Sequence, residues 1–179
     1  MSQTIVTTDT PVTAAPRGAT HTLSILVNNQ PGVLMRICQV FSRRAFNIDS
    51  LVVSEGRNAN FSRMTIGVSG DPEGLDQIIM QMNKLIDVIH CSEHDSEASV
   101  VKELIMVKIL ADDSQRTQAL QIIEHFGGKT VDLTPHSLIA LVSGNSSKID
   151  AAITMFSQFE IIETVRTGKV VMARGDQPT

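Results

Sequence analysis

The chain has 179 residues, 42% apolar, 19% charged and 3% aromatic, with no Trp or Tyr, six Phe, two Cys and a formal net charge of -4. That length supports one ordinary domain or two small ones of roughly 70–80 residues, each near the size at which a single core leans on partners. An acidic chain so poor in rings has neither the basic stripe that neutralises phosphates nor platforms for base stacking, and its apolar runs fall far short of the ~18 residues a membrane span needs, so neither nucleic acid nor a membrane is an expected partner.

Residues 1–20 hold several threonines with Pro11, Pro16 and Gly18 and show no apolar period, so they read as a flexible tail. From Thr22 the pattern sharpens: Leu23, Ile25 and Val27 alternate with polar neighbours, the mark of a strand covered on one face. Asn29-Gln30-Pro31-Gly32 breaks it. Val33, Leu34, Ile37, Cys38, Val40 and Phe41 follow at helical spacing, with Arg36, Gln39, Arg43 and Arg44 on the other side. Residues 48–55 and 61–68 read as strands around a hairpin-length loop. Asp71-Pro72-Glu73 opens a second helix, with a capping carboxylate and Pro in the first turn. Residues 88–93 form the last strand of this half.

The same order returns after a polar linker over residues 94–99. Residues 103–111 read as a strand, and Ala119, Ile122, Ile123 and Phe126 as a helical face stopped by Gly127-Gly128. Val131 and Leu133 belong to a short strand, residues 138–142 to another, Ser146 or Ser147 is expected to cap a helix bearing Ile149, Ala152 and Phe156, and residues 161–165 close the unit. The expected fold is therefore α+β, two ferredoxin-like βαββαβ units, with boundaries at residues 21–95 and 96–175 and a short tail at 176–179. Residues 138–142 are apolar at both parities, so that strand is expected to be covered on both sides by another sheet or subunit.

Candidate chemistry is sparse. Gly127-Gly128-Lys129-Thr130 resembles the end of a phosphate-binding loop, but position 123 is Ile123 where the first Gly would stand, and the segment leaves a helix instead of entering one. Cys91 and His94 have a zinc-like spacing without a second pair in the chain. Both cysteines, Cys38 and Cys91, read as buried hydrophobes. With no secretory leader evident they fit a reducing, cytoplasmic setting. No metal or cofactor is expected in the chain, and no Gly-x-Ser-x-Gly elbow marks a nucleophile. What remains is the turn at residues 28–34. A helix start offers unpaired N–H groups and partial positive charge, Gly32 admits a ligand close to the backbone, and Asn29 can donate and accept as an amino acid's two charged ends require. Asn47, just before the second strand, is expected near the same edge, facing a neighbouring subunit. By spacing alone, Asn29 and Gly32 also serve as an ordinary turn and helix cap.

The stretch TLSILVNNQPGVLMRICQVFSRRAFNI at residues 22–48 resembles the first strand, ligand loop and helix of an ACT domain, the small amino-acid-sensing module. More narrowly, SRMTIGVSGD at 62–71, MNKLIDVIHC at 82–91, KELIMVKILA at 102–111 and VRTGKVVMARG at 165–175 resemble the regulatory small subunits of acetolactate synthase (acetohydroxyacid synthase). The resemblance implies a non-catalytic subunit that forms a homodimer through its ACT domains, binds and activates a catalytic large subunit, and confers feedback inhibition by valine in branched-chain amino acid (valine and isoleucine) biosynthesis. It implies an effector site built from Asn29, Gln30, Pro31, Gly32, Val33 and Leu34, with Asn47 and Ile48 contributing from the second strand. Gln30-Pro31 departs from the more polar pairs of some relatives. Thiamine diphosphate, FAD and magnesium are implied in the catalytic partner only. The alternative is a free-standing tandem ACT amino-acid sensor acting on a transcriptional or other partner.

Overall fold

The computed structural model describes residues 20–94, 97–176 and 179. Of the expected N-terminal tail only Thr20 lies within them, and it opens the first strand. The chain runs β1 (Thr20–Asn28), α1 (Val33–Arg43), β2 (Asn47–Glu55), β3 (Phe61–Ser69), α2 (Pro72–Met82) and β4 (Val88–Glu93). These strands form an antiparallel sheet in the order β2-β3-β1-β4. The second half repeats the order: β5 (Ser99–Leu110), α3 (Asp113–His125), β6 (Lys129–Leu133), β7 (Ser137–Gly144), α4 (Ser146–Phe156) and β8 (Glu160–Arg166), in a sheet ordered β6-β7-β5-β8. Both halves are ferredoxin-like, as the alternating pattern implies.

Period-two alternation sends Leu23, Ile25 and Val27 of β1 and Met64, Ile66 and Val68 of β3 to one face. There they meet Ile37 and Phe41 of α1 and Leu75, Ile78 and Met82 of α2 in a single core. The second core sets Ile105, Val107 and Ile109 of β5 and Leu138, Ala140 and Val142 of β7 against Ile149, Ala152 and Phe156 of α4. Ile139 and Leu141 take the opposite face of β7, half-buried, opposite Lys108 and Met106 of β5.

Two features differ from the sequence pattern. β5 begins four residues earlier than expected, because Ser99, Val100, Val101 and Lys102 pair with a further strand, β9 (Val170–Ala173), which the periodicity of the βαββαβ unit does not announce. The α4 cap is not Ser146 or Ser147: Asn145, in extended conformation, accepts a hydrogen bond from the Lys148 N–H at 3.0 Å. Ser146 is the first helical residue, and its hydroxyl bonds the Glu103 carboxylate instead. Asp71 caps α2 as expected, Asp112 caps α3 through the Ser114 and Gln115 N–H groups, and Gly127, at φ 56, turns the chain out of α3.

The face of the first sheet turned away from its helices carries Thr22, Ser24 and Thr65, all buried although small and polar. The second half lies over part of this face. Val101 and Lys169 share a cleft with Thr22 and His94, and Gly168 packs against Ser50 and Val52 of β2. His94 sits at the junction, its Nδ1 3.1 Å from Ser99 Oγ and its Nε2 buried with no hydrogen-bond partner among the described residues. Burial, and then the positive charges of Arg63 and His90, holds its pKa below the ordinary histidine value.

Two predictions follow from this local chemistry. Asn145→Ala is expected to lower unfolding free energy in urea by about 1 kcal/mol, while Ser147→Ala is expected to stay within about 0.5 kcal/mol of the parent. Because folding depresses the His94 pKa, the unfolded chain takes up that proton first as pH falls through the ordinary histidine range. Stability contributed at His94 is therefore present above that range and lost below it. His94→Gln is expected to flatten the fall in Tm between neutral and mildly acidic pH, and an unchanged slope would mean that other groups carry it.

Candidate functional site

The turn between β1 and α1 is anchored at its first half. The Asn29 backbone N–H donates to the Asn60 carbonyl at 2.8 Å, and its side-chain amide donates to the Ala59 carbonyl at 2.9 Å. The chain then reverses at Gly32, whose φ of 85 lies in the left-handed region that favours glycine. Helix α1 starts directly behind it. Among the described residues no side chain caps α1, whereas α2, α3 and α4 are each capped by a side chain at the start. Leu34 and Met35 therefore present backbone N–H groups that have no acceptor within the helix. Asn29, Gln30, Pro31 and Gly32 are all exposed, so the positive end of α1 opens outward.

Arg36 adds charge at this end. A Cβ placed on Gly32 would lie 3.2 Å from Arg36 Nη1, so the guanidinium stands over the turn. Its Nε donates to Asp87 Oδ2 at 2.7 Å, and the Asp87 carbonyl in turn accepts from the Asn28 N–H at 2.9 Å, which ties β1, α1 and the entry to β4 together. From the sequence Arg36 reads only as part of the polar face of α1. The available signal was its spacing of four from Gly32, which places it one turn above the loop.

Other expected residues fall differently. Val33 is 2% exposed and belongs to the first core, so its side chain does not line an open pocket; Leu34, at 39%, faces outward. Ile48 is half-buried against that same core. Asn47 is exposed, but it is not near the loop of its own chain. Along β3, the partner of Asn28 is Phe61 and that of Asn47 is Ser69, which sets the two places at opposite ends of the sheet, about 25 Å apart at strand rise. The expectation that Asn47 shares an edge with the loop therefore does not hold within one chain. At its own end Asn47 Nδ2 donates to Asp49 Oδ1 at 2.9 Å, and the Ser69 hydroxyl bonds the other oxygen of Asp49.

Elsewhere the candidates resolve into structure. Cys91 is buried, and desolvation pushes its thiol up to about 12, which leaves it un-ionised at neutral pH. Among the described residues no three His, Cys, Asp or Glu side chains gather as a metal-binding set, and no helix is long and apolar enough to cross a membrane. Gly127 and Gly128 end α3: the Gly128 N–H bonds the Ile123 carbonyl at 2.7 Å, and its Cα packs so closely that a Cβ would lie 2.8 Å from the Leu141 carbonyl.

A ferredoxin-like sheet with an uncapped helix behind a glycine turn, followed by a second unit of the same topology, defines a regulatory module of the ACT class. Residues 23–90 match the model of the AHAS small subunit-like ACT domain, and residues 102–175 match that of the small subunit of acetolactate synthase. The acetolactate synthase small subunit of Mycobacterium bovis is 43% identical over 156 residues, covering 87% of this chain and 93% of that protein. That of Mycolicibacterium smegmatis is 41% identical over 156 residues, covering 87% and 92%. The crystal structure of the acetolactate synthase small subunit from Thermotoga maritima superposes with a TM-score of 0.82 at 34% identity, over 89% of this chain and 99% of that one. The chain belongs to the family of acetolactate synthase small subunits, and is a regulatory, non-catalytic subunit.

Proposed function

We propose that this chain binds and activates the catalytic large subunit of acetolactate synthase and makes it sensitive to feedback inhibition by valine, held between the ACT domains of two copies. The observation that carries the effector reading is the start of α1. Its N–H groups, uncapped by any side chain among the described residues, the Gly32 turn and the Arg36 Nη1 group beside it, whose Nε is held by Asp87, present hydrogen-bond donors and partial positive charge to solvent, which suits the carboxylate of an amino acid. The small apolar side chain of valine suits a contact with Leu34 and with Ile48 of the neighbouring copy. Two copies are needed on this reading, because Asn47 and Ile48 stand at the far end of the sheet from Asn29 and Gly32 in one chain.

Thiamine diphosphate, FAD and magnesium belong, on this proposal, to the catalytic chain, where acetolactate forms. The regulatory chain acts by shifting a conformational equilibrium, which valine biases only through different affinities for the two states. The setting proposed for both chains is the cytoplasm.

Calorimetric titration of L-valine into the isolated chain is expected to show binding, and adding the chain to a purified catalytic subunit is expected to raise acetolactate formation and make it valine-sensitive. No heat at millimolar valine together with no inhibition of the reconstituted complex overturns the effector reading. Activity gained without any catalytic subunit overturns the assignment as a regulator. Gly32→Asp places a carboxylate beside Arg36, where the effector's own would lie, and is expected to weaken valine binding at least about tenfold, a change of ~1.4 kcal/mol. A thermal melt within a few degrees of the parent would show that the variant folds despite its left-handed backbone. Full valine sensitivity in that variant would place the site elsewhere.

A further inference from the structure

The turn between β8 and β9 ties the second half closely to β2. A Cβ on Gly168 would lie 2.9 Å from Val52 Cγ2, 3.0 Å from Ser50 Cβ and 3.3 Å from the Leu51 backbone nitrogen. The turn is clamped from its own side. The Thr167 N–H donates to the Leu104 carbonyl at 2.9 Å, and Thr167 Oγ1 accepts from the Leu104 N–H at 3.0 Å. Arg166 donates through Nε to Glu103 Oε2 and through Nη1 to Asp150 Oδ1, each at 2.7 Å. Glu103 is buried, and the Ser146 hydroxyl at the start of α4 also bonds it. Residues 166–168 therefore join β5 and α4 rigidly to whatever Gly168 touches.

What Gly168 touches is the least regular part of β2. The strand lies at the edge of its sheet, and its register with β3 shifts between Ile48 and Ser50. Such a bulge is where an edge strand can change its twist. Asp49 sits in it, tethered by Asn47 Nδ2 and by the Ser69 hydroxyl. A ligand that takes the Asn47 amide for itself releases one of the two tethers, one residue from Ser50 and its contact with Gly168. A packed contact without slack passes on such a shift instead of absorbing it.

We infer that the Arg166-Thr167-Gly168 turn is the mechanical link by which an effector at Asn47 changes the position of the C-terminal unit. The inference rests on the effector reading above and adds the route. The link acts through its close fit to Ser50 and Val52, so loosening or overfilling that fit separates binding from response, while the effector still meets its own contacts at the ACT domain.

The test uses the full chain and its complex with the catalytic subunit, with L-valine as probe. Gly168→Ala overfills the contact, and Val52→Ala empties it from the other side without inserting anything. Each single variant is expected to bind valine within about twofold of the parent but to lose about half or more of the inhibition at saturating valine. If both single variants are inhibited like the parent, the link is overturned. It is also overturned if they lose binding about tenfold or more, since the contact then shapes the site instead of relaying from it. A parent chain that does not bind valine overturns the effector reading, and the link with it. Should Gly168→Ala fail to fold, Val52→Ala alone decides between these outcomes.

Discussion

Gly168 lies against Ser50 and Val52 with no room for a methyl group, and this close approach sets how the two halves of the chain meet. It answers a constraint built into the topology. Two helices cover only one face of a four-stranded sheet, so each half must find cover for the other face or expose it to water. In the first half the second face carries Thr22, Ser24 and Thr65, small side chains that let another backbone come close, and all three are buried. The second half meets β2 there with a turn instead of a helix, which accounts for a glycine at the point of contact.

The charges at the junction follow from the same arrangement. Glu103 is a carboxylate almost wholly out of water, and it is tolerated because Arg166 and the Ser146 hydroxyl both reach it. Arg166 is less buried and carries a second carboxylate, Asp150, on its outer side. An ion pair of this kind adds little net stability once desolvation is counted, but it admits very few geometries. Its place beside the Gly168 turn makes orientation of that turn its natural consequence.

The ACT half shows a different division of labour among helix starts. Asp71 closes the start of α2 with a side-chain oxygen, as Asp112 and Asn145 do for α3 and α4, whereas Gly32 leaves that of α1 open. The open end stands beside Arg36 and at the far end of the sheet from Asn47. A ligand that needed both places would have to lie between two copies of the chain, and effector binding and assembly would then be coupled by linkage.

The alternation of Leu23, Ile25 and Val27, the spacing of Val33, Ile37, Val40 and Phe41, and the cap at Asp71 are local patterns, and each was legible without coordinates because strand and helix periods act over a few residues. So was the repeated βαββαβ order, and the resemblance carried by the ordered motifs across both halves, which the comparisons bear out as membership of the small-subunit family. β9 was not legible, since its pairing with the extended start of β5 joins residues some seventy positions apart. Nor was the Asn145 cap, because three adjacent polar residues compete for one place and backbone geometry chooses among them. The sequence by itself determined which residues form strands, helices and the glycine turn. Only the tertiary structure decided that Arg36 pairs with Asp87 beside the turn, that Asn47 lies at the far end of the sheet and that Gly168 presses on β2, because each depends on which distant segments the fold brings into contact.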